Sequence, residues 1–202
     1  VVEVDLSAIR PMIALPMHPS NAFTIEELNA NLEDILHACE QDVQKLIGRK
    51  DVSLDLCSKI ENGKLRVDQG VIAGCAGGLY DSIYEAASIL KGHTGGCGDY
   101  ALSVYPGSQP IMMELVRTGV IHDLMASGAT IRTAFCGPCF GAGDVPANGA
   151  LSIRHTTRNF PSREGSKPGN GQLAGVALMD ARSIAATTAN GGILTPATDI
   201  DY

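Results

Sequence analysis

Six cysteines are the residues of this chain best suited to do chemistry, and two of them are separated by only two residues. The string Cys136-Gly137-Pro138-Cys139 directly follows a segment, 130–135, that alternates like a strand. A Cys-x-x-Cys turn can direct both sulfurs toward one metal or cluster. The motif alone is shared by redox dithiols, structural zinc sites and iron–sulfur sites. All three classes stay open at this point.

The neighbouring sequence disfavours two of these classes. A redox dithiol of the thioredoxin kind opens a helix, whereas residues 141–146 contain two glycines and a proline and make a poor helix start. A zinc site requires four ligands, typically from a second Cys-x-x-Cys or a spaced histidine pair. None of the histidines is paired at such a spacing: His18, His37, His93, His122 and His155.

A third thiol, Cys75, lies between the predicted strand 71–73 and the helix that follows it. Because the carboxyl ends of parallel strands share one edge of a sheet, Cys75 can converge with Cys136 and Cys139. Three thiolates with no obvious fourth would suit a cubane iron–sulfur cluster that leaves one iron open. An open iron is a Lewis acid that can polarise a hydroxyl or carboxylate oxygen.

Two arginines, Arg158 and Arg163, follow in a turn that contains Pro161. Guanidinium groups bind carboxylates in a two-pronged geometry, so this pair could form a fork for an acidic ligand. Taken alone, an arginine pair is more often a solvated surface feature. What favours the binding interpretation is that the string around these arginines resembles one in a known family.

Composition narrows the class of protein. With 15 Lys and Arg against 22 Asp and Glu, the chain has a net charge of −7. It lacks the basic face that nucleic-acid binders need, and no apolar run is long enough to cross a membrane. Clustered thiols in a sequence without a secretory leader are typical of proteins in a reducing compartment, so we expect a cytoplasmic location. We expect neither nucleic acid nor membrane as a partner.

Hydrophobic periodicity predicts an α/β fold, a three-layer α/β/α arrangement with a mainly parallel sheet. Residues 1–63 are predicted to form an extended segment plus one amphipathic helix packing on the core, capped by Thr24 and ended by Gly48. Residues 64–202 are predicted to form the α/β domain. Its expected elements are strands at 71–73, 101–105 and 130–135, and helices at 81–91, 109–117, 120–125 and 180–190.

The run from Gly70 to about Thr198 resembles the cluster-bearing third domain of the aconitase and isopropylmalate isomerase superfamily. Several strings in matching order carry this resemblance, over about two thirds of the chain. They are the Gly74-Cys75 turn with the helix string Glu85-Ala86-Ala87 to Gly92, Tyr105-Pro106-Gly107-Ser108, Cys136-Gly137-Pro138-Cys139, and Arg158-Asn159-Phe160 through Arg163.

The resemblance implies a function and a set of site residues. Cys75, Cys136 and Cys139 would hold a [4Fe–4S] cluster. Arg158 and Arg163 would contact substrate carboxylates, with Asn159 and Ser108 beside them in the substrate site. The family eliminates and re-adds water on a hydroxy-di- or tricarboxylate, and the open iron carries the departing hydroxyl. The expected activity is therefore that of a hydro-lyase.

Two departures from the family pattern are visible. Ala76-Gly77 follows the first cluster cysteine where the family usually has Thr-Asn, and Thr157 stands where the family commonly has Asn. These changes fit a divergent hydratase branch with a different substrate, or a weakened site, and we favour the divergent branch. The family draws its Asp, His, Ser and further Arg groups from other domains. We therefore expect no catalytic residue in this chain, the remaining domains of the same enzyme as partners, and no turnover by the chain alone.

Alternatives concern the other cysteines and the glycine-rich turn. Cys39 and Cys57 are predicted to be packing thiols, and Cys97 is a rival cluster ligand that precedes a strand and should lie at the opposite sheet edge. The turn 74–78 could belong to a nucleotide-binding module, although the third glycine of that fingerprint is missing. A second alternative is a cluster-free structural domain derived from the same family.

Overall fold

The computed structural model describes residues 1–200. The strands are β1 Met12–Ala14, β2 Ala22–Thr24, β3 Ile60–Glu61, β4 Lys64–Leu65, β5 Gln69–Ile72, β6 Ala101–Val104, β7 Thr130–Ile131, β8 Leu151–His155 and β9 Gly175–Met179. Seven of them form one mixed sheet in the order β2-β1-β9-β8-β5-β6-β7, and β3 and β4 form a separate hairpin.

Five neighbouring strands, from β9 to β7, pair in parallel. The helices are α1 Ile25–Ala30, α2 Leu32–Ile47, α3 Gly74–Gly77, α4 Tyr80–Leu90, α5 Gln109–Arg117, α6 Val120–Ala126 and α7 Ala181–Ala189. Buried strands with runs of Val, Ile and Leu require helices over the sheet, since parallel sheets are covered on their faces. The predicted α/β/α class with a mainly parallel sheet is confirmed.

The N-terminal segment joins the main sheet as a pair of antiparallel edge strands. β1 pairs with β9 on one side and β2 on the other, with Ile13 opposite Met179. Ile13 and Leu15 are fully buried in the same core cluster that contains Ile153 and Ile184. The segment predicted to be merely extended therefore completes the sheet and its core.

Replacing Ile13 with alanine is expected to cost about 2–5 kcal/mol of unfolding free energy, because it removes a fully buried side chain from β1. The neighbouring Met12 points away from the core and is 45% exposed. Met12→Ala is therefore the matched control, with an expected change below about 0.5 kcal/mol. Urea unfolding of both variants measures the difference. Equal losses would contradict the burial of β1.

The predicted long helix is divided into α1 and α2 at Asn31, so the prediction of a single helix over 24–47 was wrong. Asn31 has φ −135° and ψ 39°, and its side-chain amide donates to the carbonyl of Glu27 at 3.2 Å. Asparagine side chains compete for backbone partners in this way and interrupt helices. Both predicted ends are confirmed, because Thr24 caps α1 and Gly48 is left-handed with φ 65°.

The sequence interpretation missed β8 and β9 and overextended β7, which covers two residues rather than 130–135. β8 contains Arg154 and His155, which break the apolar run expected of a buried strand. The polar stretch 48–63 contributes Val52, Leu54 and Leu56 to the buried core. No helix within residues 1–200 is long and apolar enough to span a bilayer.

Candidate functional site

The three cysteines singled out by the sequence meet at the carboxyl edge of the parallel strands. Cys75 lies in α3, the single helical turn that directly follows β5. Cys136 directly precedes the 3₁₀ turn 137–139 and Cys139 is its last residue, beyond the end of β7. A Cβ atom at Gly74 would come within 2.9 Å of the Cys139 sulfur. The two thiol-bearing turns are therefore in direct contact.

Glycine at position 74 is required by both backbone geometry and space. Its φ of 72° belongs to the left-handed region that side chains disfavour. A side chain there would also displace the Cys139 sulfur. The close approach of the Cys75 turn to the Cys139 turn therefore depends on the missing Cβ.

Several neighbouring groups affect the pKa of Cys136. The neighbouring Cys139 thiolate raises the pKa of Cys136, and burial and the more distant Cys75 add to this rise. The guanidinium of Arg158 acts in the opposite direction and lowers the pKa of Cys136. The sulfurs of Cys139 and Cys75 and the Arg158 guanidinium thus all lie within electrostatic range of Cys136. Cys75 and Cys136 are exposed, whereas Cys139 is buried.

The donor type of the thiol site fits an iron–sulfur cluster, which takes cysteine thiolates as ligands. Within residues 1–200, the only three metal-ligand side chains whose donor atoms all lie within 4.8 Å of one another are His37, Glu40 and Cys57. The chemistry of the donors, and not their spacing, is therefore what suits the three thiols to a cluster.

The remaining cysteines lie elsewhere. Cys97 precedes β6, and a Cβ at Gly128, which precedes β7, would touch its sulfur at 2.9 Å. Cys97 therefore lies at the amino edge of the parallel strands, opposite the thiol site, as the sequence indicated. Cys39 is buried on α2 and donates to the carbonyl of Pro16 at 3.0 Å, and burial raises its pKa to about 12. Cys57 packs partly buried against the core.

The segment after β8 carries a concentration of unpartnered buried polar atoms. Within residues 1–200, every buried side-chain nitrogen or oxygen without a hydrogen-bond partner lies between positions 155 and 163. These atoms are His155 Nδ1, Thr156 Oγ1, Asn159 Oδ1 and Arg163 Nε. Buried polar groups are almost always paired, so such a concentration indicates a missing ligand, water or partner surface.

The predicted substrate residues after β8 differ in their burial and in the hydrogen bonds that they make. Arg158 is exposed and reaches only the hydroxyl of Thr157, at 3.3 Å. Arg163 is half-buried. Asn159 is buried, and its amide nitrogen donates to the carbonyls of Ala14 and Leu15 at 3.2 and 2.8 Å. Asn159 therefore attaches the arginine segment to the end of β1, and its oxygen stays unpaired.

Ser108 is placed by the helix that it begins. Its hydroxyl accepts a 3.4 Å hydrogen bond from the amide of Ile111 and so caps α5, which follows β6. The amide of the adjacent Gly107 donates to the carbonyl of Gly78 at 2.7 Å. Ser108 therefore lies in the loop that contacts the end of the Cys75 turn, at the same sheet edge as the thiols.

The departure at Gly77 has a structural cause. A Cβ at this position would lie 2.2 Å from the carbonyl oxygen of His155 and 2.9 Å from its Cβ. The end of β8 therefore occupies the space that a larger residue would need. Burial lowers the pKa of His155, which favours the neutral imidazole. The change to glycine accompanies a close approach of β8 to the thiol turn.

Sequence reasoning missed Arg154, whose side chain lies under the thiol turn. It is buried in β8 and donates to the carbonyls of Pro138 and Asp144, both at 2.7 Å. The signal in the sequence was a charged residue beside Leu151 and Ile153 in the short segment Leu151–His155. Because β8 was not predicted, that signal could not be interpreted.

Comparison with known proteins agrees with this geometry. The model of the family described as "Aconitase family (aconitate hydratase)" matches residues 1–186. The 3-isopropylmalate dehydratase large subunit of Caldanaerobacter subterraneus subsp. tengcongensis is 31% identical over 189 residues. The protein of the same name from Thermoanaerobacter sp. is 30% identical over 189 residues. The counterpart from Clostridium botulinum is 30% identical over 185 residues.

The matches with these three relatives cover 91–92% of this chain but only 36% of each relative. The chain thus corresponds to about a third of their length. The family match also begins at residue 1, so it extends well before Gly70, where the resemblance in the sequence became visible. The chain belongs to the aconitase family. The resemblance inferred from its motifs is therefore confirmed.

Proposed function

We propose that this chain is the cluster-bearing part of an aconitase-like hydro-lyase that acts on a hydroxy-di- or tricarboxylate. The observation that carries the proposal is the meeting of Cys75, Cys136 and Cys139 at one sheet edge, with Arg158 acting on Cys136. The relatives' name, 3-isopropylmalate dehydratase large subunit, makes a substituted malate a candidate substrate. Family membership supports the same class of reaction.

The proposed cofactor is a [4Fe–4S] cluster held by these three thiolates. When bound, such a cluster supplies a Lewis-acidic iron that polarises a hydroxyl or carboxylate oxygen of the substrate. The protein's own contribution at this point is to keep three sulfurs together at one edge of a rigid sheet. Gly74 makes this possible because it lets the Cys75 turn touch Cys139.

We propose that Arg158 and Arg163 bind the carboxylates of the substrate. Guanidinium groups are always charged and match carboxylate geometry, so they orient a diacid as well as attract it. The buried Nε of Arg163 is a hydrogen-bond donor without a partner, and such a group gains most when an acceptor such as a carboxylate oxygen reaches it. Ser108 is proposed as a further contact from the loop after β6.

The remaining parts of the proposal concern the whole enzyme. Because the relatives are longer, we propose that other domains of the same enzyme supply the acid–base groups, and that this chain alone does not turn over substrate. The division into 1–63 and 64–202 and the cytoplasmic location also remain predictions. Residues 201 and 202 lie outside the described range.

Carboxylate binding tests the substrate side of the proposal. Arg163→Gln is expected to weaken binding of citrate or 3-isopropylmalate to the iron-reconstituted chain by about tenfold or more, the scale of one lost hydrogen bond from a charged group. Arg182→Gln is the control, because Arg182 is exposed and pairs with Asp180 at 3.6 Å. Titration calorimetry measures both. Equal binding by both variants would contradict the assignment of Arg163.

Turnover tests the expected dependence on other domains. The reconstituted chain, assayed alone with malate- or citrate-type hydroxy acids, is expected to show no hydro-lyase activity above free iron and sulfide. Formation or loss of the conjugated double bond, followed by ultraviolet absorbance, measures this. Sustained turnover that requires Cys136 would show that the chain already contains its acid–base groups.

A further inference from the structure

Among residues 1–200, Arg154 is the largest fully buried side chain and the one charged member of that group. It is 1% exposed. Its pKa is lowered by burial to about 10, with opposing effects from Glu164, Asp144 and Cys139, so it stays charged at neutral pH. Burying a cation is costly unless strong hydrogen bonds compensate. The hydrogen bonds that Arg154 makes therefore indicate why a charged side chain occupies this buried position.

Every hydrogen bond that Arg154 makes either anchors it to the sheet or reaches the loop that carries Cys136 and Cys139. On the sheet side, its Nε donates to the hydroxyl of Ser152 at 3.0 Å and one terminal nitrogen donates to the Gln69 amide oxygen at 3.3 Å. On the loop side, its two terminal nitrogens donate to the carbonyls of Pro138 and Asp144, both at 2.7 Å. The guanidinium thus joins two points of the loop six residues apart to strands β5 and β8.

The loop has few other rigid supports. Its internal bonds are the amides of Cys139, Phe140 and Ala142 to carbonyls of residues 136 and 137. On its outer side, the Asp144 carboxylate accepts from Tyr105 at 2.5 Å and from Arg132 at 3.2 Å. Residues 132–136 are exposed. The carbonyl before Cys139 is held by Arg154 alone among the side chains of residues 1–200.

We propose that Arg154 is a positioning residue that fixes the 136–144 loop, and with it the Cys139 sulfur, for cluster binding; this rests on the proposed function of the thiols. Its fork holds Pro138 and Asp144 at a fixed separation, which a single-point cation such as lysine cannot do. It also places a fixed positive charge near the Cys139 thiolate, and this charge favours the anionic, cluster-bound state.

The first measurement uses the full chain without iron. Arg154→Gln is expected to speed hydrogen exchange at the amides of Cys139, Phe140 and Ala142 by roughly tenfold or more, the scale of one lost charge-assisted hydrogen bond. Amides of β5 and β8 should keep their protection. Arg132→Gln is the matched control, because Arg132 reaches the same loop from outside with a 47% exposed side chain. It should leave those three amides unchanged.

The second measurement uses the reconstituted chain. Arg154→Gln is expected to lose iron to a chelator about tenfold faster than the wild type, on the same scale, and to have a more negative cluster reduction potential. Arg154→Lys restores the charge without the fork, so it should recover the potential but not the iron retention. A purely structural role would not separate these two readouts.

The outcomes distinguish this proposal from the proposed function. Unchanged exchange at the three amides, or unchanged iron loss in a folded Arg154→Gln variant, would overturn the positioning role. If that variant does not fold, Ser152→Ala and Arg154→Lys take its place, with smaller effects expected in the same direction. If the wild-type chain takes up no iron, the proposed function fails, while the exchange measurement still decides whether Arg154 fixes the loop.

Discussion

Gly77→Ala is expected to destabilise the chain by roughly 3 kcal/mol or more, or to prevent folding, because the new methyl group overlaps backbone atoms. The added Cβ would lie 2.2 Å from the carbonyl oxygen of His155. That carbonyl also accepts the amide of Ala73 at 3.2 Å, so neither strand end can move freely. Urea unfolding followed by circular dichroism measures the loss.

Gly169→Ala is the control for this substitution. Gly169 has no atom within 4 Å of its ideal Cβ position and does not adopt a positive φ. Its replacement should change stability by less than about 0.5 kcal/mol. If Gly77→Ala were equally mild, β8 could not lie as close to the Cys75 turn as the structure has it. The same result would remove the explanation for glycine at this position.

Cys139→Ser is expected to abolish iron retention in the chain after anaerobic reconstitution. The hydroxyl of serine is a much poorer ligand for iron than a thiolate, and Cys139 is the buried sulfur that contacts the Cys75 turn. Bound iron, counted after gel filtration, should fall to the background of an unreconstituted sample. The brown colour of the sample should disappear with it.

Cys97→Ser serves as the matched control for the thiol experiment. Cys97 is an exposed free cysteine of the same chain, and it lies at the other edge of the sheet. Its replacement should leave bound iron unchanged. Iron that depends on Cys97 and persists in Cys139→Ser would mean that the cluster ligands have been assigned to the wrong edge.

The convergence of the thiols was predictable because it follows from sheet topology. Cys75 follows one buried strand and the Cys136 turn follows another, and parallel strands place both at one edge. The helix N-caps are also predictable from the sequence, since the side chains of Thr24 and Ser108 each accept a hydrogen bond from a backbone amide in the first turn of the helix that follows. The caps are local features and local chemistry determines them, whereas the convergence of the thiols follows from the parallel order of the strands.

Long-range pairing was not predictable in the same way. The sequence near Ile13 is short and interrupted by prolines, and only its pairing with β9 and its burial in the core make it a strand. Arg154 was missed for the same reason, because its partners Pro138 and Asp144 are up to 16 residues away in the chain. The orphaned atoms of His155 and Arg163 likewise become visible only in three dimensions.

The iron and sulfide content of the purified wild-type chain after anaerobic reconstitution tests the assignment most directly. With three thiolate ligands, we expect about four irons and four sulfides per chain. Mild oxidation should release the one iron that has no thiolate ligand and leave a three-iron cluster with its electron paramagnetic resonance signal. A chain that takes up no sulfide and binds a single metal ion, or none, would contradict it.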